Sequence, residues 1–176
     1  MDQAERAAHT TWERGDLKQA FKQYLAIAKL GCDGAWINVG YFYDVGIGVK
    51  RNRKQALYWY RRAYRSGHSA AASNIATLYR DEGRSRLEVI WYKKSAALGD
   101  ADAAVEVAKH YLSGTGVRKH RGHALAYLNR AIATPSPYIT KASLNEARRI
   151  LRKLQAPNRR ANKPLNARPP AKLAAH

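Results

Sequence analysis

Small and apolar residues return along this chain at helical intervals, in two interleaved series. In the first, Ala20, Ala56, Glu88 and Ala124 stand 36, 32 and 36 residues apart. Each is followed four positions later by Tyr24, Tyr60, Tyr92 or Leu128, and eleven positions later by Gly31, Gly67, Gly99 or Pro135. In the second, Ala35, Gly40 and Tyr43 reappear as Ala71, Ala76 and Tyr79 and as Ala103, Ala108 and Tyr111, again 36 and 32 residues apart. Such offsets keep side chains on one side of an α-helix, so each series predicts a helix and their alternation predicts helix hairpins. A repeat of roughly 20–50 residues marks an architecture of stacked units with an extended surface.

Residues 35–67 are the clearest unit. Ala35, Val39, Gly40 and Tyr43 form the apolar stripe of a first helix. Gly46-Ile-Gly-Val49 interrupts it, because paired glycines supply the positive φ angles of a turn. Asn52 is the expected N-cap of the second helix, whose buried face uses Ala56, Trp59 or Tyr60, and Ala63, with Gly67 closing it. The third unit repeats the scheme with Gly114-Thr-Gly-Val117. The middle unit passes through Asp81-Glu-Gly-Arg84 without the Gly-x-Gly-Val turn, which accounts for the shorter spacing. An N-terminal pair, joined at Gly15-Asp16, also lacks that turn. Ser136-Pro137 is read as the start of a ninth helix over 137–155, with an apolar stripe of Leu144, Ala147, Leu151 and Leu154 suited to close the stack. From residue 156 the composition turns to Pro, Asn, Ala and basic residues, which predicts a disordered basic tail over 156–176.

Charge is the next informative quantity. The chain has 32 Lys and Arg against 13 Asp and Glu, a formal +19. Residues 107–176 hold fifteen of the basic residues and the single acid Glu146, or +14. Such a field favours polyanions or an acidic protein. One cysteine, Cys32, allows no internal disulfide. The polar start and the lack of a long apolar run argue against a signal peptide and a membrane span, so the expected location is a bacterial cytoplasm.

The set Ala35, Gly40, Tyr43, Gly46, Gly48, Val49, Ala56, Trp59, Tyr60, Ala63 and Gly67 resembles the Sel1-like repeat, a relative of the tetratricopeptide repeat. Trp91-Tyr-Lys-Lys-Ser-Ala96 with Gly99, and Gly114-Thr-Gly-Val117, match it again in register. The resemblance covers residues 34–135 well and 3–31 weakly. It implies an all-α protein, an α/α right-handed superhelical solenoid with pairs at about 3–31, 34–67, 70–99 and 102–134 and a C-terminal cap. It also implies an adaptor or scaffold for protein complexes; bacterial members occur in signalling, in secretion-linked functions and as partners of toxins.

Candidate chemistry is sparse. His120 and His123 stand at helical spacing and His110 nearby, but two imidazoles without a Cys, Asp or Glu close in sequence are too few for structural zinc, and solvated or capping histidines are expected. Cys32 has no evident base, and Gly-x-Gly-Val has neither a preceding strand nor a third glycine. Asp81, Glu82, Asp100 and Asp102 read as turn or N-cap residues at helix starts. No catalytic residue, metal, cofactor or small-molecule substrate is expected, and the chain is read as a non-enzyme.

Two surfaces follow from the repeat. Basic clusters recur at similar places in successive units, at Arg61, Arg62, Lys93, Lys94, Arg118, Lys119 and Arg121, and on the last helix at Arg148, Arg149, Arg152 and Lys153. Each alone is a solvated face; together they make an anion-binding ridge. On the first helices, Trp36, Asn38 and Tyr41 line up with Asn74 and Thr77 and with Glu106 and Lys109, a row suited to a concave partner-binding face. Trp36 is either an exposed aromatic anchor there or packed against the N-terminal pair. The expected function is an adaptor gripping an acidic protein through this row, in a specialised form an immunity-type inhibitor of a toxin. A nucleic-acid-associated protein using the basic tail and final helix is the alternative of another class.

Overall fold

In the computed structural model, which describes residues 3–135 and 139–156, the described residues form nine α-helices and their turns. They are α1 (Gln3–Glu13), α2 (Leu17–Lys29), α3 (Asp33–Val45), α4 (Arg53–Arg65), α5 (Ser69–Asp81), α6 (Ser85–Ala97), α7 (Ala101–Ser113), α8 (Arg121–Ala133) and α9 (Lys141–Gln155). Consecutive helices pair as hairpins, with α3/α4, α5/α6 and α7/α8 in the most extensive contact, and each pair packs on the next. Helix α9 lies against α8 and α7.

The core is one continuous cluster running from Ala8 to Ala147. Ala20, Ala56 and Ala124 are fully buried, as are Ala35, Ala71 and Ala76. Alanine at these crossings lets helix axes approach closely, and large rings fill the grooves alongside. Gly40 shows the limit of this approach: a Cβ there would lie 2.5 Å from the ring of the fully buried Tyr60. Burial, and next the nearby Asp44 carboxylate, push the Tyr60 hydroxyl well above the ordinary phenol range. It therefore stays a donor, 3.5 Å from Asp44 Oδ2.

Local signals set most helix ends. Asp16, Asn52 and Asp100 cap α2, α4 and α7 by accepting the N–H of the residue three positions on. Gly31, Gly67 and Gly99 follow α2, α4 and α6 with φ of 99°, 89° and 96°. Asp100 does more than cap: its Oδ2 lies 2.7 Å from Ser73 Oγ and 2.8 Å from the buried Ser95 Oγ, joining α5, α6 and α7. We expect Asp100→Ala to cost about 2 kcal/mol and the cap-only change Asp16→Ala about 1 kcal/mol, read from urea unfolding.

The two Gly-x-Gly-Val turns are built alike. The N–H of Asn52 donates to the Tyr43 carbonyl at 2.8 Å, and that of His120 to the Tyr111 carbonyl at 3.0 Å. The second glycine of each turn reaches the preceding second helix. Gly48 sits on the Leu17 carbonyl at the start of α2, and Gly116 on the Ser85 carbonyl at the start of α6. The middle turn, Glu82-Gly83-Arg84, is shorter, and a side chain spans the equivalent gap. Arg53 Nε at the start of α4 lies 2.7 Å from Glu82 Oε1. The N–H is not aimed at the oxygen, so this is an ion pair without a hydrogen bond.

Two expectations are corrected here. Asp81 ends α5 and Glu82 lies in the turn that follows, so neither stands at a helix start. The final helix begins at Lys141 under a Thr140 cap, which accepts from Ser143 N at 3.2 Å. Thr140 is fixed in turn by Asp102, whose Oδ1 accepts from its N–H and hydroxyl at 3.1 and 2.9 Å. A long-range contact thus selects the start that local sequence assigned to Ser136-Pro137. Those two residues, and the tail expected over 156–176 apart from Ala156, lie outside the described residues.

Candidate partner-binding site

The first helices do present a row, but one of its columns is internal. Trp36, Ala72 and Ala104 occupy equivalent positions and all are buried. A first helix is packed between the preceding second helix and its own partner, so its apolar arc is wider than a single stripe. Trp36 is 8% exposed, its indole N–H donates to the Ala28 carbonyl at 3.0 Å, and the Arg62 guanidinium lies 4.4 Å from its ring centroid. It packs on the N-terminal pair and is no exposed anchor.

The other columns face outward. Asn38 is half-buried and donates to the Gly34 carbonyl. Tyr41 is 39% exposed and stacks on Trp12 with centroids 5.7 Å apart. Asn74 lines a recess of about 280 Å³ with Ser73, Tyr92, Glu106 and Ser143, and Thr77 is exposed one turn away. A second recess of about 430 Å³ adjoins it, lined by Arg80, Glu88, Glu106, Lys109 and His110.

Charges here alternate rather than accumulate. Arg80 Nε donates to Glu88 Oε1 at 2.6 Å and its Nη2 to Glu106 Oε2 at 2.9 Å. Lys109 Nζ donates to Glu106 at 2.8 Å and to Glu146 at 3.4 Å. Four helices, α6, α5, α7 and α9, are therefore tied by one chain of opposite charges. Burial works against the charge on Arg80 and Lys109. The carboxylates outweigh it, with the Glu88 hydrogen bond leading at Arg80 and the Glu106 hydrogen bond at Lys109, so both hold their protons above the ordinary range.

Glu88 is the residue that sequence reasoning passed over. It is 5% exposed and occupies the position of Ala20, Ala56 and Ala124. An acid at a buried alanine position needs a cationic partner, and that signal was present in the repeat itself. His110 is the second correction: it is buried rather than solvated or capping, with Nε2 3.2 Å from Glu88 Oε1 and Nδ1 2.9 Å from the Thr115 carbonyl. His120 does cap, accepting the His123 N–H at 3.0 Å. Among the described residues no group of three or more His, Cys, Asp or Glu is arranged to hold a metal.

The expected anion-binding residues divide into two clusters. Arg61, Arg62, Lys93 and Lys94 lie on α4 and α6, which adjoin through the Tyr64–Trp91 ring contact at 5.2 Å. Lys94 stands over Trp91 at 4.2 Å and Lys93 over Tyr111 at 4.7 Å. Arg118, Lys119 and Arg121 lead into α8, and Arg121 donates to the Leu154 carbonyl near the end of α9. On α9, Arg149 pairs with Glu146, while Arg148, Arg152 and Lys153 are exposed.

Helix hairpins repeated at this spacing, with turn glycines packed on the preceding unit, define an α/α repeat protein. Residues 35–68, 89–100 and 101–133 match the Sel1 repeat, and the chain is a Sel1 repeat protein. The short middle match begins at Val89, leaving out α5 and the start of α6, where the standard turn is lacking. The fold is similar to a Sel1 repeat protein from Oxalobacter formigenes, with a TM-score of 0.68 and 24% identity over 85% of this chain and 64% of the other. It is also similar to c5321, a protective antigen present in uropathogenic Escherichia coli strains that displays an SLR fold. That match has a TM-score of 0.71 and 21% identity over 85% of this chain and 33% of the other. The chain thus spans less than two thirds of each of these proteins. Among the described residues no helix is long and apolar enough to cross a membrane.

Proposed function

We propose that this chain is a non-enzymatic adaptor of the bacterial cytoplasm that holds a protein partner along α3, α5 and α7. Sel1 repeats are scaffolds typical of protein–protein interaction, which supports this class of function. The observation that carries the site is the outward row of Tyr41, Asn74, Thr77 and Glu106, running from the Trp12–Tyr41 stack to the recesses around Arg80. Tyr41 is an aromatic already held in place by a ring beneath it, so little side-chain entropy is lost when a partner covers it. The paired charges of this row suit a partner of mixed polarity rather than a strongly acidic one.

The test is affinity capture on the full chain from a host lysate, compared with Tyr41→Ala and with Asn74→Arg/Thr77→Arg. A protein retained by the wild type and lost from both variants is the expected result. Capture of the same proteins by all three forms, or recovery of nucleic acid alone, contradicts the reading.

A further inference from the structure

Helix α4 carries the highest net positive charge of the described helices. Its 13 residues include five basic side chains, Arg53, Lys54, Arg61, Arg62 and Arg65, and no acid. Arg53 faces Glu82, Arg62 lies on Trp36, and Arg61 donates to the Tyr79 hydroxyl at 3.3 Å. Lys54 and Arg65 have no ion pair among the described residues, and Arg61 and Arg65 are like charges one turn apart, a spacing that destabilises a helix. An ordinary solvated helix face mixes both signs; this one does not.

The same stripe is partly apolar. Lys54, Leu57, Tyr58, Arg61 and Arg65 line a recess of about 330 Å³, and Tyr58 is 54% exposed within it. Helix α6 repeats the arrangement. Ile90 is 40% exposed at the repeat position of Tyr58, while Arg86 and Lys93 stand at the positions of Lys54 and Arg61. Two neighbouring second helices therefore each carry an exposed apolar side chain between cations.

We infer that the outer side of α4 and α6 is a docking surface for an acidic protein segment. Its apolar side chains cover Tyr58 and Ile90, and its carboxylates meet Lys54, Arg61 and Arg65. Charge complementarity selects the acidic partner. The aliphatic Ile90 and Leu57 beside Tyr58 favour a peptide over a nucleic acid, since phosphates need no aliphatic floor and a base would find one exposed ring here rather than a series of them. This surface is separate from the first-helix row and goes beyond the function proposed for it.

The probes are a labelled Glu- and Leu-rich peptide, the same peptide with Leu replaced by Ser, and a single-stranded oligonucleotide, all added to the full chain at about 0.15 M salt. We expect the Leu-containing peptide to bind, and its affinity to fall about tenfold or more in Arg61→Glu/Arg65→Glu. Tyr58→Ser/Ile90→Ser should weaken it comparably, with far-UV circular dichroism unchanged because all four residues are exposed. Tyr41→Ala leaves this binding intact, so failure here is distinguishable from failure of the adaptor reading. The inference is overturned if the Ser-substituted peptide binds equally well, if neither double variant weakens binding, or if the oligonucleotide binds more tightly than the peptide and is lost from the same variants.

Discussion

Alanine at Gly48 or Gly116 lowers the stability of this protein by about 2–4 kcal/mol, whereas alanine at Gly67 or Gly99 costs about 1–2 kcal/mol. All four glycines have positive φ, between 66° and 96°, so each change carries the strain of an L-residue in a left-handed conformation. The difference lies in what surrounds them. A Cβ at Gly67 or Gly99 meets nothing within 4 Å. At Gly48 it would come within 2.6 Å of the Leu17 carbonyl carbon, and at Gly116 within 2.5 Å of that of Ser85. Those obstacles are helical backbone and cannot rotate aside as a side chain can. Relieving the clash means pulling one helix pair away from the one before it, so the loss falls on the interface between repeats, where stacked-repeat stability resides. Urea midpoints of the four single variants, followed by far-UV circular dichroism, check the contrast.

The second large effect runs against the repeat. Glu88→Ala installs the residue found at the equivalent position of the other three units, yet it destabilises the protein by about 2–3 kcal/mol. Removing the carboxylate takes one of two carboxylate partners from Arg80 and the carboxylate partner from the buried His110, and leaves a small void beneath them. The Arg80 side chain is 46% exposed and recovers water, which keeps the loss below that of a fully enclosed ion pair. Glu88→Gln keeps the shape and one acceptor and costs less, about 1–2 kcal/mol. Adding Arg80→Met to Glu88→Ala restores part of the loss, with a coupling energy of about 1–2 kcal/mol in the double-mutant cycle. Equal and additive effects of the two single changes would show that the pair contributes nothing to the stack.

These two sites mark what the sequence could and could not reveal. Helix pairing, the caps at Asn52 and Asp100, and the closing glycines were legible because each is a local demand: a free N–H or a positive φ calls for a particular residue within a few positions. Residues at longer range were harder to place. The side of α3 on which Trp36 lies depends on α2 and α4 packing around it, and periodicity alone assigns it equally well to either surface. The start of α9 depends on Asp102, 38 residues before Thr140. The partners of Glu88, Arg80 and His110, come from two other helices, and only its presence among alanines hinted that it would be buried with company. The basic residues were visible, but their division between ring-stacked positions on α4 and α6 and exposed ones on α9 is set by aromatics distant in sequence.

The middle repeat is where the stack could fail, since the glycine turn that packs α3/α4 and α7/α8 on the pair before each is absent there. Arg53–Glu82 and the chain of charges around Glu88 stand in its place. Native-state hydrogen exchange on the full chain tests this most directly. The amides of α5 and α6 should exchange as slowly as those of α4 and α7, opening only with the body of the protein. Exchange of α5 and α6 well ahead of both neighbours would show two separate halves joined by a loose hairpin, and would contradict the account.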